Sequence, residues 1–336
     1  MNKRPFIILS AFLLLFSLIE KGQATETYRP ETSVAGFIQL PGSGRQVYNF
    51  NPGWRFFRGD VRGAEVVNFD DRSWNVVSTP HTVELMPAEG SGCRNYQGPA
   101  WYRKHFVLPA ETKGQRVVLH FEAAMGKQIL YLNGKRIQEH LGGYLPFTLD
   151  LTANGVQAGD SCLLAVFTDN SDDKSYPPGK RQYTLDFAYH GGIYRDVWMI
   201  AKSPVAITDA IDSQTVGGGG VFIHFDKISE KSAQVYVNTE VQNDDARSES
   251  VTVETTLTDA DGKVIKRSSG KLSLKPGEKK SICQQMEVKN PTLWSPDTPY
   301  LYRVQHVLRK EINPLTEALP VSVFVWQNSV VKTDSG

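Results

Sequence analysis

Short stretches in which apolar and polar residues alternate recur along most of the chain, and glycine, proline, asparagine and aspartate separate them. Four examples are Arg116–Phe121, Lys127–Leu132, 162–168 and 194–200. Alternation of period two predicts strands with one buried face, and turn residues at short intervals are typical of antiparallel sandwiches. No sustained helical periodicity follows the N-terminal segment. The pattern therefore predicts an all-β protein.

The spacing of strands and turns predicts two sandwiches. Asn133-Gly134 follows a strand-like run directly, and both residue types accept the positive φ of a tight hairpin turn. We expect residues 46–202 to form a jelly-roll sandwich. Residues 203–325 repeat short strands and turns in the manner of an immunoglobulin-like sandwich, and residues 326–336 form a tail.

The N-terminus has the pattern of a targeting segment. Lys3 and Arg4 precede an apolar run at 6–19, which is too short to span a bilayer comfortably. Small residues follow at 22–24, a plausible cleavage position. We expect residues 1–24 to be a signal peptide, the mature protein to be periplasmic or secreted, and no membrane span to remain after cleavage. The alternative is an uncleaved anchor.

Composition and charge narrow the possible ligands. Basic and acidic residues number 37 and 36, without a block of like charge, which argues against nucleic acid and anionic membranes as partners. The three cysteines, Cys93, Cys162 and Cys283, allow at most one bridge within the chain. Neither cysteine nor histidine spacing matches a metal site, so no metal and no cofactor are expected. A neutral ligand is the simplest expectation.

The densest group of candidate binding residues lies at 186–197, which reads Asp-Phe-Ala-Tyr-His-Gly-Gly-Ile-Tyr-Arg-Asp-Val. Aromatic faces pack against the apolar faces of sugars, and arginine and aspartate bond to hydroxyl groups. The stretch is therefore a candidate carbohydrate contact. The alternative is a loop whose rings fill a core and whose Arg195 and Asp196 form an ion pair, which is the commoner use of such residues.

Several motifs occur in an order that closely resembles glycoside hydrolase family 2, which includes β-galactosidases, β-glucuronidases and β-mannosidases. In the first unit they lie at 79–81, 101–104, 131–134, 142–147 and 192–197. Residues 290–296 and 299–302 resemble the end of the family's immunoglobulin-like second domain. The resemblance covers roughly residues 48–308. It implies a galactose-binding-like jelly roll followed by an immunoglobulin-like sandwich.

The resemblance also implies which residues contact substrate. In β-galactosidase-type members an acidic residue shortly before the last first-unit motif reaches the active site, and Asp186 is the match. It would contact a galactose hydroxyl or a nearby cation; the alternative is an aspartate that caps a turn. Tyr183, Tyr189 and His190 are further substrate-binding candidates on the same segment. Arg195 and Asp196 are assigned to structure, at the domain boundary.

Catalysis in this family belongs to a (β/α)8 barrel that follows the two sandwiches and supplies two glutamates. A barrel needs about 250 residues, and the sequence after the second unit has neither that length nor the glutamate motifs. The resemblance thus implies no catalytic residue here: the chain is the non-catalytic N-terminal portion of a β-galactosidase-like enzyme, inactive alone. Complete family members hydrolyse O-glycosidic bonds, here with a β-galactoside-like glycan as the expected partner.

Three further hypotheses stay open at the level of the sequence. The departure from the family pattern after Lys310 suggests a truncated or frame-shifted gene product, which the downstream DNA would test. A stand-alone lectin-like exported protein, or an adhesive two-sandwich surface protein, shares the same strand pattern. The oligomeric state is left open.

Overall fold

The computed structural model describes residues 28, 31–32, 45–86, 95–185, 187, 190–310 and 320–328. The predicted signal peptide, Cys93, Asp186 and Tyr189 lie outside them. This part of the chain consists of strands, turns and two short 3-10 helices, Ala110–Thr112 and Gln182–Thr184, and it contains no α-helix. Accordingly, none of the residues just given forms a helix with the length and apolarity needed to cross a membrane.

The described residues form eleven strands in the first sandwich. They are β1 Glu31–Thr32, β2 Gln46–Asn49, β3 Trp54–Arg58, β4 Asn75–Val77, β5 Pro99–Val107, β6 Arg116–Phe121, β7 Lys127–Leu132, β8 Lys135–Leu141, β9 Phe147–Asp150, β10 Ser161–Asp169 and β11 Val197–Lys202. One sheet has the order β1-β2-β11-β6-β9 and the other the order β4-β3-β5-β10-β7-β8. Within each sheet these neighbours pair antiparallel.

The core of this sandwich lies between the two sheets, where alternating side chains of each strand meet. Leu119 and Phe121 of β6 face Leu130 and Leu132 of β7 across it, and all four are buried. Burying such side chains stabilises each by about 1.5–3 kcal/mol relative to exposure. The alternation in the sequence is therefore the direct cause of the two-layer arrangement.

In the second sandwich, eight strands lie within the part of the chain that the structure describes. They are β12 Val205–Ile207, β13 Val221–Asp226, β14 Ser232–Asn243, β15 Glu249–Thr258, β16 Val264–Leu274, β17 Lys279–Lys289, β18 Tyr302–Lys310 and β19 Pro320–Asn328. In one sheet β14 pairs with β12 and β13 along one edge and with β17 along the other. The other sheet has the order β16-β15-β18-β19. The predicted fold class, a jelly-roll sandwich followed by an immunoglobulin-like one, is confirmed.

The hairpin turn predicted at Asn133-Gly134 is confirmed. Asn133 and Gly134 have φ values of 51° and 81°, as the turn between β7 and β8 requires. The strand predicted at 194–200 instead begins at Val197, and Asp196 just before it bonds to the Asn51 side chain. Cys162 and Cys283 are both free.

A charged network joins the two sandwiches. The guanidinium of Arg116, on β6, lies 2.6 Å from Asp150 in its own sandwich, and 2.7 Å from Asp212 and 3.4 Å from Asp244 in the second. Lys202 Nζ, at the end of β11, lies 3.4 Å from Asp212. The Arg116 side chain is only 14% exposed. The positive charge of Arg116 therefore lies between the carboxylates of the two sandwiches, at their junction.

His306 lies in the core of the second sandwich and is fully buried. Its Nδ1 lies 3.1 Å from Thr255 Oγ1 and 3.4 Å from Thr239 Oγ1, and its Nε2 has no hydrogen-bond partner. Burial lowers the pKa of this imidazole from 6.5 to about 4. The folded protein therefore keeps it neutral at mildly acidic pH, because the cationic form would be desolvated.

We expect this histidine to make the second sandwich sensitive to acid. Below pH 6.5 the unfolded chain binds a proton that the folded chain takes up only near pH 4. The free energy of unfolding should therefore fall by about 2–3 kcal/mol between pH 7 and pH 4.5 through this group alone. Urea unfolding of His306→Asn at the two pH values should show a smaller fall than wild type. The exposed His224, changed to Asn, is the control; equal falls in both variants would contradict the prediction.

Candidate functional site

The Gly-Gly turn, residues 191–193, lies shortly before β11 and is anchored to the loops at one end of the first sandwich. Three backbone hydrogen bonds of 2.9–3.0 Å hold it: His81 N to Ile193 O, Val83 N to Gly191 O, and Met125 N to Gly192 O. The turn thereby connects the loop after β4 with the loop after β6. The turn therefore fixes the positions of these two loops at this end of the sandwich.

Both glycines are required by close packing. A Cβ atom on Gly192 would lie 2.2 Å from the Tyr102 hydroxyl oxygen, and the φ of +90° at Gly192 is itself unfavourable for other residues. A Cβ atom on Gly191 would lie 2.4 Å from Asn170 Nδ2 and 2.7 Å from Val83. The glycine pair therefore allows the turn to rest directly on buried side chains.

Below the turn, Tyr102 and His81 form a neutral hydrogen-bonded pair. The Tyr102 hydroxyl oxygen lies 2.8 Å from His81 Nδ1, within hydrogen-bond distance. Burial raises the pKa of Tyr102 and lowers the pKa of His81. Both groups are therefore uncharged near neutral pH, and they support the turn rather than act on a ligand.

Asp196 has a structural role, but its partner is Asn51 and not Arg195, with which the sequence analysis considered an ion pair. Its Oδ1 accepts a hydrogen bond of 2.7 Å from Asn51 Nδ2, and Asn51 Oδ1 accepts from Val197 N at 2.7 Å. Arg195 is exposed, and no ion pair with Asp196 forms in this described segment. Asp196 thus fixes the start of β11 to the loop after β2, within the first sandwich, so its assignment to the domain boundary is wrong.

Of the four predicted substrate-binding residues, the structure describes two. Tyr183 lies in the 3-10 helix Gln182–Thr184 and is 52% exposed, and His190 is exposed immediately before the Gly-Gly turn. Both belong to the long connection between β10 and β11. Asp186 and Tyr189 lie outside the described residues, so their roles remain predictions.

Tyr183 borders a polar pocket of about 370 Å³ that sequence reasoning missed. Its lining side chains are Asn95, Gln97, Asp172, Arg181, Gln182 and Tyr183. The volume lies within the range of about 300–1,000 Å³ usual for small-ligand sites. Gln97 and Asp172 lie far apart in the sequence, and the pairing of β5 with β10 brings them together.

Two hydrogen bonds hold one carboxylate in this pocket. Asp172 Oδ1 accepts from Gln97 Nε2 at 2.8 Å and from the backbone N of Gln182 at 3.0 Å. On the other side, Arg181 donates to the Tyr183 hydroxyl at 2.9 Å. The pocket therefore offers a fixed carboxylate, a guanidinium, amides and an aromatic ring, which is the mixture that binds hydroxyl-rich ligands.

Asn170 connects the pocket with the Gly-Gly turn. This buried side chain accepts from Gly98 N at 3.0 Å, donates to Tyr96 O at 2.8 Å, and packs against Gly191. The loop that carries Gln97 is thus held in place from the core side. Over the ranges given above, no three His, Cys, Asp or Glu side chains come together in a way that could hold a metal ion.

A galactose-binding-like sandwich with a polar pocket at its rim, followed by an immunoglobulin-like sandwich, is the arrangement that the resemblance to glycoside hydrolases predicts. Two family models match in chain order: the sugar binding domain of glycosyl hydrolases family 2 over residues 66–204, and glycosyl hydrolases family 2 over residues 219–318. The chain belongs to glycoside hydrolase family 2 and carries its N-terminal β domains.

Known relatives extend well beyond this chain. A β-glucuronidase of Formosa agariphila is 31% identical over 81% of this chain and 28% of its own length. A β-galactosidase of Thermoanaerobacter pseudethanolicus is 32% identical over 78% of this chain and 33% of its own length. The crystal structure of a Bacteroides uniformis β-glucuronidase superposes with a TM-score of 0.75, at 29% identity, over 85% of this chain and 32% of that one. The chain thus spans about a third of the proteins it resembles.

Proposed function

We propose that the two sandwiches are the non-catalytic N-terminal part of a family 2 glycoside hydrolase whose complete form cleaves β-glycosidic bonds. The observation that carries the proposal is the match of both family models, in order, over the two sandwiches. In this role the second sandwich is a spacer, and the first contributes contacts to the glycan. Tyr183 and His190, with Asp186 and Tyr189, are the proposed contacts.

The proposed partner is a β-galactoside-like glycan. A relative named β-galactosidase, at 32% identity, supports this choice, and a relative named β-glucuronidase, at 31%, makes a glucuronide the competing ligand. Titration of the purified chain with methyl β-D-galactopyranoside, methyl β-D-glucuronide and methyl β-D-mannopyranoside compares them. We expect saturation with the galactoside at the lowest concentration. Tighter binding of the glucuronide would contradict the choice, and failure of all three would contradict glycan binding by this chain alone.

A second candidate function is that of a lectin-like protein that binds glycan by itself. The pocket at Gln97, Asp172 and Gln182 favours it, because all of its lining residues come from the first sandwich. The same titration, with no added polypeptide, tests this function.

We also propose that the protein is exported. Lys3, Arg4 and the apolar run at 6–19, followed by small residues, support a cleaved signal peptide. N-terminal sequencing of the protein recovered from the periplasm or medium should begin near Thr25. Recovery of the intact N-terminus from the cytoplasmic fraction would contradict export.

A further inference from the structure

The pocket beside Tyr183 contains a buried amide that is not hydrogen-bonded. Gln182 is 4% exposed, and neither its side-chain nitrogen nor its side-chain oxygen has a hydrogen-bond partner. Leaving a buried donor and a buried acceptor unpaired destabilises a folded protein. Because this residue also lines the pocket, a ligand that bonds to the amide would remove that penalty.

The groups around the amide are arranged before any ligand arrives. Asp172 is held by Gln97 and by the backbone of Gln182, and Arg181 is held against Tyr183. These members of the pocket are exposed, so Gln182 forms its buried floor. Side chains that are already positioned lose little freedom on binding, which favours affinity.

The chemistry of the pocket selects a neutral ligand with several hydroxyl groups. A hydroxyl donates one hydrogen bond and accepts others, so it can satisfy both the oxygen and the nitrogen of the Gln182 amide. Asp172 and Arg181 carry opposite charges, so together they give the pocket no net charge that would favour an ionic ligand. The volume of about 370 Å³ leaves room for a single small ligand.

We propose that this pocket is a glycan-binding site of the two-sandwich chain itself, in which the Gln182 amide bonds to the hydroxyl groups of a neutral pyranose. The inference rests on the proposed function for its ligand class, carbohydrate, and does not depend on hydrolysis. It assigns a glycan-binding role to Gln182, Gln97, Asp172 and Arg181.

Gln128 provides a matched control for the amide. It lies on β7, is fully buried, and likewise has neither side-chain polar atom hydrogen-bonded. Its side chain is not among those that line this pocket. Replacing either glutamine by methionine removes a buried unpaired amide and keeps the side-chain length, so both variants should be as stable as wild type or more so.

The experiment titrates wild type, Gln182→Met and Gln128→Met with methyl β-D-galactopyranoside by calorimetry and records thermal unfolding in parallel. We expect both variants to keep or raise the unfolding midpoint, by about 2–4 °C. Affinity should fall at least tenfold in Gln182→Met and stay within twofold of wild type in Gln128→Met. Asp172→Asn is a second variant at the exposed side of the pocket, and it should also lose at least tenfold.

The possible outcomes distinguish a failure of the proposed pocket from a failure of glycan binding by the chain. Wild-type affinity in both Gln182→Met and Asp172→Asn would overturn this site while leaving glycan binding by the chain intact. No saturation of wild type by any of the three glycosides would overturn glycan binding by this chain alone. Stronger binding of methyl β-D-glucuronide than of the galactoside would overturn the assignment of a neutral ligand.

Discussion

Gly192→Ala should destabilise the first sandwich by about 2–5 kcal/mol. The new methyl group would lie 2.2 Å from the Tyr102 hydroxyl, and φ at this position is +90°. Left-handed backbone costs about 1–2 kcal/mol for a residue with a Cβ, and forced packing in a dense core typically adds about 1–3 kcal/mol. Urea unfolding followed by tryptophan fluorescence measures the change.

Gly155→Ala is the matched control for this prediction. Gly155 has a similar φ of +86°, but a Cβ atom there would meet nothing within 4 Å. It should therefore show only the backbone contribution of about 1–2 kcal/mol. If the two variants were equally destabilised, the contact between the turn and Tyr102 would have no energetic role.

The second large effect is expected at the junction. Arg116→Met should lower the free energy of unfolding by about 3–5 kcal/mol, the range typical when one partner of a buried ion pair is removed. The reason is that Asp150, Asp212 and Asp244 would then face one another without the guanidinium. Because Asp212 and Asp244 belong to the second sandwich, the variant should also separate one calorimetric transition into two.

Arg309→Met is the control for the junction. Arg309 lies 3.1 Å from Glu254 on the surface of the second sandwich, and both side chains are more than 40% exposed. Exposed pairs typically contribute about 0–1 kcal/mol, so this variant should unfold almost like wild type. A loss at Arg116 no larger than that at Arg309 would show that the charged network does not hold the sandwiches together.

Much of the fold could be predicted because alternation along a strand reports directly on burial. β6 and β7 begin and end where the pattern placed them, and Asn133-Gly134 forms the expected turn. The family motifs gave the order of the two sandwiches. The strand at 194–200 was placed three residues early because its Tyr-Arg-Asp start continues the apparent alternation, whereas Asp196 is fixed by Asn51.

The buried charges of β5 could not be foreseen from the pattern. Arg103 and Lys104 follow Trp101 and Tyr102, yet both are fully buried. Arg103 bonds to Asp71 at 2.8 Å, and Lys104 Nζ donates to the carbonyl oxygens of Phe50 and Pro52. These partners are more than 30 residues away in the chain, so only the folded structure identifies them.

The candidate site was predicted only in part, for the same reason. Tyr183 was named because it is aromatic and close to a family motif, whereas Gln97, Asp172 and Gln182 carry no such signal. The bond between Gln97 and Asp172 spans 75 positions. It forms because β5 and β10 are antiparallel neighbours, with Pro99 opposite Asp169. To predict a pocket built from the ends of paired strands, one must know the register in which the strands pair. The local pattern of the sequence does not provide that register.

The most direct test of the central claim places the purified chain and methyl β-D-galactopyranoside in one NMR sample. If the two sandwiches are the glycan-binding, non-catalytic part of a family 2 glycoside hydrolase, protein resonances should shift in a saturable manner while the glycoside stays intact over many hours. Release of galactose and methanol by the chain alone would contradict the non-catalytic role, and unshifted resonances at saturating glycoside would contradict glycan binding.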